Sequence, residues 1–463
     1  MKTIGNAGST ARKLEAVASG ALPNGDPVVV NADGTVSVVV ATASDLGAET
    51  TFSATAIQKP SATFDTSNNK VVVTYINSSN YIAVVIGTVS GTSISFGTPV
   101  IAESSSSEEP TVVFDSSNNK VVLTYRAGTN GKSVVGTVSG TSISFGTKTS
   151  FQASGVEYTN SVFDSNSNKV VAIWSNDNSS KAGTAAVGTV SGTSISFGSA
   201  AVFKSSGIFV TSPDFDSTNN KVVIAYNPSN VLEAVVGTVS GTSISFGTPV
   251  SSGLGGVLMM LAMGGGTGQG VIGYRLNVSP FYGRAVSVTV SGTSVSFGTS
   301  SQFSDTIKPV QNIVFDTSRN KFFIVYGVNI FPVNLSGTDV SFGSSSALSA
   351  ENIDQVGATF DNNDQLVFAY RNLTDSQAGQ SLVFTPASTN LTSENYIGLA
   401  SNGYPDTAGA TIDVQGAIND RQSGLTAGQA YYVQTDGTLS ETAGTPSVFA
   451  GTAISATKMI VKG

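Results

Sequence analysis

Apolar residues in this chain come in short runs, separated by clusters of polar, turn-forming residues. A run such as Lys70–Tyr75 (KVVVTY) is continuous and rich in β-branched and aromatic residues, which favours a buried strand. A segment such as Ser93–Phe96 (SISF) alternates polar and apolar residues, which places Ile94 and Phe96 on one face of a strand. No stretch of comparable strength carries the 3.6-residue period of a helix. The pattern therefore predicts an all-β protein.

Two signatures recur together along most of the chain. The string VSGTSISFG, with small variations, occupies Val89–Gly97, Val138–Gly146, Val190–Gly198, Val239–Gly247, Val290–Gly298 and Leu335–Gly343. A second signature, typified by FDSSNNKVVLTY, begins at Phe64, Phe114, Phe163, Phe215, Phe315 and Phe360. Between Phe215 and Phe315 a diverged copy, Met263–Tyr274, keeps the turn and the closing tyrosine. Tandem repetition of this kind determines the fold class.

Each repeat contains four short strands in about 40–50 residues, which is the signature of a β-propeller blade. Seven repeats predict a seven-bladed β-propeller. The seventh repeat has no fourth strand after Ser381–Phe384, and Asp33–Val39 (DGTVSVV) offers a matching strand ahead of the first repeat. We therefore predict a ring closed by this N-terminal strand. A β-helix or linear solenoid is the structural alternative.

The two ends of the chain carry related sequences outside the repeats. Ser423–Ser440 aligns with Ser19–Ser37, and each contains an apolar strand followed by an Asp-Gly hairpin turn. We predict that the two segments pack together or do equivalent jobs. The predicted domains are an N-terminal arm and small β-element (residues 1–32), the propeller (33–390) and a C-terminal β-module for attachment or oligomerisation (391–463).

Composition excludes several function classes. Charged residues make up 11% of the 463 residues, against roughly 25% in typical soluble domains. The net charge of −8 and the lack of a Lys/Arg cluster argue against nucleic acid as a partner. The chain has no Cys and no His, which removes thiolate sites, the commonest metal ligand and the usual general base. We predict no catalytic residue, no metal and no cofactor.

Targeting signals are also missing from the sequence pattern. The first twenty residues, MKTIGNAGSTARKLEAVASG, contain no apolar core of a secretory signal peptide. The longest apolar run, Val257–Met263 (VLMMLAM), is far shorter than the roughly 20 residues that span a bilayer. We expect synthesis in the cytoplasm without membrane insertion.

The repeated aspartate of the Phe-Asp signature is the first candidate for chemistry. It could bind calcium or act in catalysis, or it could accept hydrogen bonds from its own turn. The residues are Asp65, Asp115, Asp164, Asp216, Asp316 and Asp361. One aspartate per blade places the carboxylates far apart, whereas glycoside hydrolysis needs a pair roughly 5–10 Å apart. We interpret these aspartates as turn residues.

Three further segments have a functional and a structural interpretation. Gly264–Gly270 (GGGTGQG) could cradle a phosphate, but it lacks the following helix and the Lys-Ser/Thr of a P-loop, so we predict a lengthened hairpin. Val257–Met263 is predicted to be a buried strand, with a docking face for a neighbouring subunit as the alternative. The acidic segment with Glu103, Glu108 and Glu109 is predicted to be a solvated loop, with cation or partner contact as the alternative.

Two other predictions concern packing and recognition. Trp174 stands where other repeats carry Tyr, which indicates packing between blades. The connections between blades vary most at Ala127–Lys132, Asn176–Gly183, Asn227–Glu233 and Leu276–Arg284. Because loops on a rigid scaffold commonly carry recognition, we predict that any ligand face lies there.

The pairing of FDSSNNKVVxxY with VGTVSGTSISFG resembles repeats in structural proteins of marine tailed bacteriophages. Residues 423–461 (SGLTAGQAYYVQTDGTLSETAGTPSVFAGTAISATKMIV) are similar to modules of phage tail-fibre and other virion-surface proteins. The resemblance covers roughly residues 15–463. It implies a non-enzymatic virion structural protein, tail-associated or surface-displayed, that presents the propeller for host recognition or stabilises the particle.

The resemblance also implies partners. These are other tail or capsid proteins, with multiple copies of the chain in each virion and a host-surface glycan or receptor as a further ligand. One alternative function is a capsid decoration protein. Another is a glycan-binding lectin or a carbohydrate-active propeller enzyme, of which the enzyme would need carboxylates or tyrosines that converge on one site.

Overall fold

The structure, a computed structural model, describes residues 12–264, 266, 268–349, 351–444 and 446–462. These residues form β-strands and loops, with one short 3₁₀ turn at Asp177–Ser179. Residues 45–385 form one compact unit, and the described residues before 45 and after 385 form a second. The predicted all-β fold is confirmed. Among the described residues, no helix is both long and apolar enough to cross a membrane.

The larger unit is built from one repeated sheet. In blade 1, Gln58–Asp65 is innermost and pairs antiparallel with Lys70–Ile76, which pairs with Ile82–Ser90. This third strand pairs first with Ser93–Phe96 and then with Val100–Glu103. The fourth strand is thus longer than predicted and is broken in two.

The described residues contain seven sheets of this pattern. In order from the innermost strand outward, blade 2 consists of Ser107–Asp115, Lys120–Ala127, Asn130–Ser139, Ser142–Phe145 and Thr149–Gln152, and blade 3 consists of Val156–Asp164, Lys169–Asn176, Ala182–Ser191, Ser194–Phe197 and Ala201–Lys204. Blade 4 consists of Ile208–Asp216, Lys221–Pro228, Val231–Ser240, Ser243–Phe246 and the start of Val250–Gly264, and blade 5 consists of the rest of Val250–Gly264 with Gln269–Leu276, Gly283–Ser291, Ser294–Phe297 and Ser301–Ser304. Blade 6 consists of Val310–Asp316, Lys321–Tyr326, Asn329–Ser336, Asp339–Phe342 and Ser346–Ala347, and blade 7 consists of Ile353–Phe360, Leu366–Asn372, Ala378–Thr385, Asp45–Leu46 and Thr50–Ala56.

The seven sheets form a closed ring. Each innermost strand contacts the innermost strand of the next sheet, and that of blade 7 contacts that of blade 1. This arrangement is a β-propeller, and closure leaves no open end of the array. The linear solenoid is therefore excluded.

The segment that closes the ring differs from the predicted one. Asp45–Leu46 and Thr50–Ala56 pair with Ala378–Thr385 of blade 7. The predicted closing segment, Asp33–Val39, was wrong, because Val36–Val38 pairs with Pro27–Val30 in the smaller unit. The propeller accordingly begins at residue 45 rather than residue 33.

The sequence explains this correction. Leu46, Gly47 and Phe52 have the same spacing as Phe145, Gly146 and Phe151 in blade 2. Phe52 packs against the rings of Tyr75 and Phe96 in blade 1, with centroids 5.3 and 5.4 Å away. The segment therefore supplies the aromatic contact that joins neighbouring blades, which Asp33–Val39 has no residue to make.

The glycine of the FG pair is required by close approach between blades. A Cβ atom on Gly146 would lie 1.8 Å from the carbonyl oxygen of Thr193 in the SGT turn of blade 3. The same contact joins Gly97 to Thr141, where the distance would be 2.0 Å. The FG pair of one blade and the SGT turn of the next therefore constrain each other.

Trp174 lies between blades, as predicted. Its side chain is fully buried, and its ring centroid is 5.1 Å from that of Phe151 in blade 2. Phe151 also packs against Phe197 of blade 3, with centroids 5.5 Å apart. Rings in these tilted arrangements add a favourable term to area burial.

The smaller unit combines residues from both ends of the sequence. One sheet has the strand order Lys13–Val17, Gly409–Asp413, Tyr396–Ala400, Pro27–Val30 and Val36–Val38. A second sheet has the strand order Ile418–Asn419, Lys458–Val461, Val448–Ser455, Ala430–Val433 and Leu439–Ser440. In addition, Ala41–Thr42 pairs with Ser388–Thr389. Val29, Leu399 and Val433 belong to one shared hydrophobic core. The two ends of the sequence therefore pack together.

The two related hairpins of this unit use the same turn. The backbone N–H and the hydroxyl of Thr35 donate to Asp33 Oδ1 over 3.0 and 2.6 Å. Thr438 donates in the same way to Asp436 Oδ1, over 3.0 and 2.7 Å. These hydrogen bonds lower the pKa of both carboxyl groups. The sequence alignment of the two ends thus reflects a shared local structure.

Candidate functional site

Strand direction gives the propeller two different faces. In blade 1, the end of the innermost strand at Asp65 lies opposite Lys70, and its beginning at Gln58 lies opposite Ile76. The turns between first and second strands and between third and fourth strands therefore share one face, which we call the turn face. The connections between second and third strands share the other, which we call the variable face.

The turn face is nearly the same in every blade. The SGT turns, which join third and fourth strands, have two residues between the strands. The turns between first and second strands contain the repeated aspartate. Asp115 Oδ1 accepts hydrogen bonds from the backbone N–H groups of Ser117 and Asn118 over 3.0 and 3.1 Å. Its Oδ2 accepts from Asn118 Nδ2 over 2.9 Å.

The other repeated aspartates are bonded within their own turns as well. This holds for Asp65, Asp164, Asp216, Asp316 and Asp361. The interpretation of these residues as turn residues is confirmed. Across the part of the chain that the structure describes, no three acidic side chains are grouped so that they could hold a metal ion.

The variable face differs from blade to blade. Its connections range from two to six residues and comprise residues 77–81, 128–129, 177–181, 229–230, 277–282, 327–328 and 373–377. The four segments predicted as a ligand face, Ala127–Lys132, Asn176–Gly183, Asn227–Glu233 and Leu276–Arg284, all lie here, but the prediction that they connect blades was wrong, because each joins the second and third strands of one blade. The sequence variation between repeats is therefore concentrated on one side of the ring.

A β-bulge interrupts the innermost strand near the variable face in all seven blades. In five of them the residue at the bulge has a left-handed backbone, with φ of 47° at Lys59, 55° at Glu109, 51° at Tyr158, 50° at Leu258 and 51° at Gln355. A positive φ is uncommon for residues of these types and signals local strain. The sequence analysis missed these bulges, because the residue type at the bulge changes in each blade.

The bulge residues connect consecutive blades. Gln355 Oε1 of blade 7 accepts a hydrogen bond from the backbone N–H of Lys59 over 2.6 Å. Lys59 Nζ lies 3.6 Å from Glu109 Oε1. Glu109 Oε2 accepts from the backbone N–H of Thr159 in blade 3 over 2.8 Å. An arc of polar contacts thus runs through four blades.

The prediction of a solvated acidic loop at Glu103, Glu108 and Glu109 was wrong. Glu109 is half-buried in this arc, and Glu108 forms an ion pair with Arg126. Glu103 ends the fourth strand of blade 1 and is buried. These carboxylates are ordered because each has a cation from another strand, which the local string ESSSSEEP does not reveal.

Glu103 has two cationic partners, Lys148 Nζ at 3.2 Å and Lys132 Nζ at 3.4 Å. Burial raises the pKa of Glu103, but the hydrogen bond and charge of Lys148 and the charge of Lys132 outweigh it. The pKa falls to about 2. Glu103 also accepts a hydrogen bond from the buried Tyr125 hydroxyl over 3.3 Å. This cluster joins blades 1 and 2.

Aromatic side chains lie on the variable face at blades 3 and 4. Lys181 Nζ is 5.9 Å from the ring centroid of Tyr158 and 5.8 Å from that of Phe209. Phe209 is 40% exposed, although it begins an innermost strand. Lys181 also forms an ion pair with Glu157. The two rings and the lysine form a cluster that the repeat pattern does not predict.

The innermost strands enclose a channel of about 1020 Å³. Its lining includes the bulge residues Lys59, Glu109, Tyr158 and Gln355. Deeper in the channel, Asp214 Oδ2 accepts from the backbone N–H of Met263 over 2.7 Å. Burial raises the pKa of this carboxyl group to about 6, and the charge of Asp216 acts in the same direction. No other blade has an acid at the equivalent position of the described strands.

The two remaining candidate segments have structural roles. Val257–Met263 is part of an innermost strand, and Met259 and Leu261 are buried in it, which confirms the predicted buried strand. Gly264–Gly270 contains two residues outside the described part of the chain, at 265 and 267. The strands on either side pair from Gly264 to Gln269, as expected for a hairpin.

The ring of sheets places the chain among the β-propeller proteins. No protein-family model matches the sequence, and no curated protein is similar to it. A point mutant of NanB sialidase from Streptococcus pneumoniae is similar in structure, with TM-score 0.41 and 10% identity over 71% of this chain and 68% of that one. The β-propeller domain of Cps50 (Swd1) from Myceliophteria thermophila has TM-score 0.45 and 7% identity, over 74% of this chain and 99% of that one. A triple mutant of AofleA from Arthrobotrys oligospora has TM-score 0.40 and 10% identity, over 68% and 94%.

Proposed function

We propose that this chain is a non-enzymatic structural protein of a tailed-phage particle, displayed on the virion surface and associated with the tail. In this proposal, the propeller presents its variable face to the host surface. The smaller unit attaches the chain to other virion proteins.

The difference between the two propeller faces carries this proposal. The turn face repeats the aspartate turn in every blade except blade 5 and the SGT turn in every blade except blade 7, whereas connection length and bulge residue change from blade to blade on the variable face. A rigid ring that holds one face constant and varies the other is typical of a recognition scaffold. The resemblance of the repeats to phage structural proteins supplies the biological setting.

Two further observations support a structural role. The repeated aspartates are each bonded within a turn, so they are engaged in holding the hairpins. The smaller unit has its own hydrophobic core, drawn from both ends of the sequence. It also contains the segment 423–461, which is similar to modules of tail-fibre proteins.

Immunogold electron microscopy of purified particles tests the proposal. The antibody is raised against the propeller, residues 45–385, and serum depleted on the purified protein is the control. We expect gold at the tail. Gold spread over the head would overturn the tail assignment and favour a capsid decoration protein, and unlabelled intact particles would overturn the virion assignment.

A competition assay tests host recognition separately. Host cells incubated with the purified chain should adsorb less phage, because the free propeller occupies the surface sites that the particle uses. Bovine serum albumin at the same concentration is the control. Unchanged adsorption at saturating protein would remove host recognition and leave a structural role in the particle.

A further inference from the structure

We infer that the mouth of the central channel on the variable face is a binding site for a neutral carbohydrate. The inference rests on the proposed role in recognition, because it names the site and the ligand class through which the propeller would act. The site comprises the bulge residues Lys59, Glu109, Tyr158 and Gln355 with the nearby Phe209.

The first step is the shape of the channel. Its volume of about 1020 Å³ is at the upper end of the roughly 300–1,000 Å³ typical of ligand sites. Four bulge residues line it, on the same face as the connections of different lengths. Bulges redirect side chains and are common beside functional sites. Backbone in the left-handed region is strained for residues that carry a side chain, and such strain clusters at ligand sites.

The second step is the balance of charge. The charged side chains named at this mouth are paired with opposite charges, since Lys59 lies 3.6 Å from Glu109 and Lys181 pairs with both Glu157 and Asp177. Next to the bulge in blade 7, Arg371 Nη2 lies 2.6 Å from Asp354 Oδ2. A charged ligand would have to displace one of these partners. A neutral ligand leaves the pairs intact and can still donate to and accept from them.

The third step is the presence of buried polar atoms without partners. Gln311 Oε1 and Thr159 Oγ1 line the channel, are buried, and have no hydrogen-bond partner. Gln311 is 7% exposed and Thr159 is 5% exposed. Leaving such groups unsatisfied is costly, so a rotation of either side chain that brought the oxygen to the channel surface would gain a hydrogen bond from a hydroxyl group of a ligand or from water. Many hydroxyl groups that both donate and accept are the defining feature of a sugar.

The fourth step is the aromatic cluster. Tyr158 lines the channel and Phe209 lies near it, with Lys181 Nζ 5.9 and 5.8 Å from their ring centroids. Aromatic rings have an electron-rich face and pack against the slightly positive C–H faces of a pyranose. Together, paired charges, free polar atoms and aromatic rings fit a neutral sugar better than an ion or an apolar molecule.

Saturation-transfer NMR on the full chain tests this site. The probes are the methyl glycosides of glucose, galactose, mannose and N-acetylglucosamine, with glucosamine and glucuronic acid as matched charged sugars. Each is used up to about 10 mM, which would detect a ligand with a dissociation constant near 1 mM, or about −4 kcal/mol. We expect transfer to at least one neutral sugar and weaker transfer to its charged counterpart.

Variants then locate the signal. Tyr158→Ala should lower affinity at least tenfold, and Tyr158→Phe should keep it, because the ring is retained. Tyr81→Ala, in a connection of the same face outside the channel lining, is the matched control and should bind as the natural chain does. Thermal unfolding checks that each variant is folded.

Three outcomes would overturn the inference. They are no transfer to any neutral sugar, preferential transfer to a charged sugar, and equal binding by the natural chain and folded Tyr158→Ala. Failure here leaves particle labelling and competition untouched, so the proposed function can stand without a sugar site. Conversely, sugar binding by a chain that is absent from particles would retain the site and remove the virion role.

Discussion

The aspartate of the Phe-Asp signature shows how a single side chain organises a repeated hairpin. Asp115 is fully buried, yet both of its carboxylate oxygens accept hydrogen bonds, from Ser117 and Asn118. The residue therefore satisfies backbone N–H groups that the turn would otherwise leave unpaired. Its repetition reflects the repetition of the hairpin.

Substitution Asp115→Ala tests this role. Removing the carboxylate leaves the N–H groups of Ser117 and Asn118 without their partner, so we expect the free energy of unfolding to fall by about 1–3 kcal/mol. Urea unfolding followed by far-UV circular dichroism measures the change. Ser116→Ala, at the exposed neighbouring position, is the control and should change stability little. Equal stability of the two variants would contradict the turn role.

Asp214 predicts a pH dependence of stability. Its folded pKa of about 6 lies above the ordinary value of 3.8, so the folded state holds this proton more tightly than the unfolded state. The resulting stabilisation is present below pH 3.8 and is lost as pH rises through 6. The Asp214→Asn variant cannot ionise at this position, so its free energy of unfolding should lack this pH-dependent contribution. Between pH 4 and 7, the natural chain should lose roughly 2 kcal/mol relative to the variant.

Urea unfolding at several pH values measures this difference. Asp305→Asn, on an exposed connection, is the matched control for loss of one carboxyl group. A constant offset between natural chain and Asp214→Asn at all pH values would show that Asp214 does not change its protonation in this range. A difference that grew in the opposite direction would show that its pKa is lowered.

The role of a residue could be predicted where the residues that interact are close together in the sequence. The turn aspartates are followed directly by their Ser and Asn partners, so the string FDSSNN contains both donor and acceptor. Glu103 was misassigned because Lys132 and Lys148 lie 29 and 45 residues away in the sequence. The left-handed residue Tyr158 was missed because the residue type at the bulge changes from blade to blade.

At the scale of elements, the broken fourth strand explains the constancy of the repeat. Its first half ends at the FG pair, whose glycine approaches the SGT turn of the next blade. Its second half carries an aromatic residue in several blades, such as Phe151 in blade 2 and Phe203 in blade 3, which packs against the following blade. One strand therefore makes two of the contacts that hold neighbouring blades together.

Substitution Gly146→Ala tests the first of these contacts. The added methyl group would overlap the carbonyl oxygen of Thr193, so blades 2 and 3 must move apart. We expect a loss of about 1–3 kcal/mol in the free energy of unfolding. Gly409→Ala, where nothing lies within 4 Å of the new atom, is the control and should be close to neutral. Equal effects of the two substitutions, measured by chemical unfolding, would contradict this account.

The same strand explains which part of the closure could be predicted. The sequence shows that repeat seven has no fourth strand of its own, so a strand from the N-terminal part of the chain was expected to complete it. Its location was wrong because Asp33–Val39 resembles a repeat hairpin in composition, while it pairs with Pro27–Val30. The decisive signal was the spacing of Gly47 and Phe52, which matches the FG pair and aromatic residue of blade 2.

For the whole molecule, ring closure should make distant blades unfold together. In a linear array, each repeat depends mainly on its neighbours. In the closed ring, Phe52 joins blade 7 to blade 1, whereas Trp174, the single tryptophan, lies buried in blade 3. Trp174 fluorescence therefore reports on a blade that Phe52 does not touch.

We predict that Phe52→Ala lowers the urea midpoint observed by Trp174 fluorescence. Removal of a buried phenylalanine costs about 3–5 kcal/mol, and closure transmits this loss around the ring. Thr51→Ala, at the adjacent exposed position, is the control. If Phe52→Ala altered circular dichroism but left the Trp174 midpoint unchanged, the blades would unfold independently.

Closure by Thr50–Ala56 also sets the order of events during synthesis. This strand leaves the ribosome early, but its partner Ala378–Thr385 follows more than 300 residues later. At roughly 5–20 residues per second, the strand waits about 15–65 s before it can pair. Lys13–Val17 waits longer still for Gly409–Asp413. Thr50–Ala56 and Lys13–Val17 are therefore made long before the strands they pair with, so neither unit can be complete until those later strands have been synthesised.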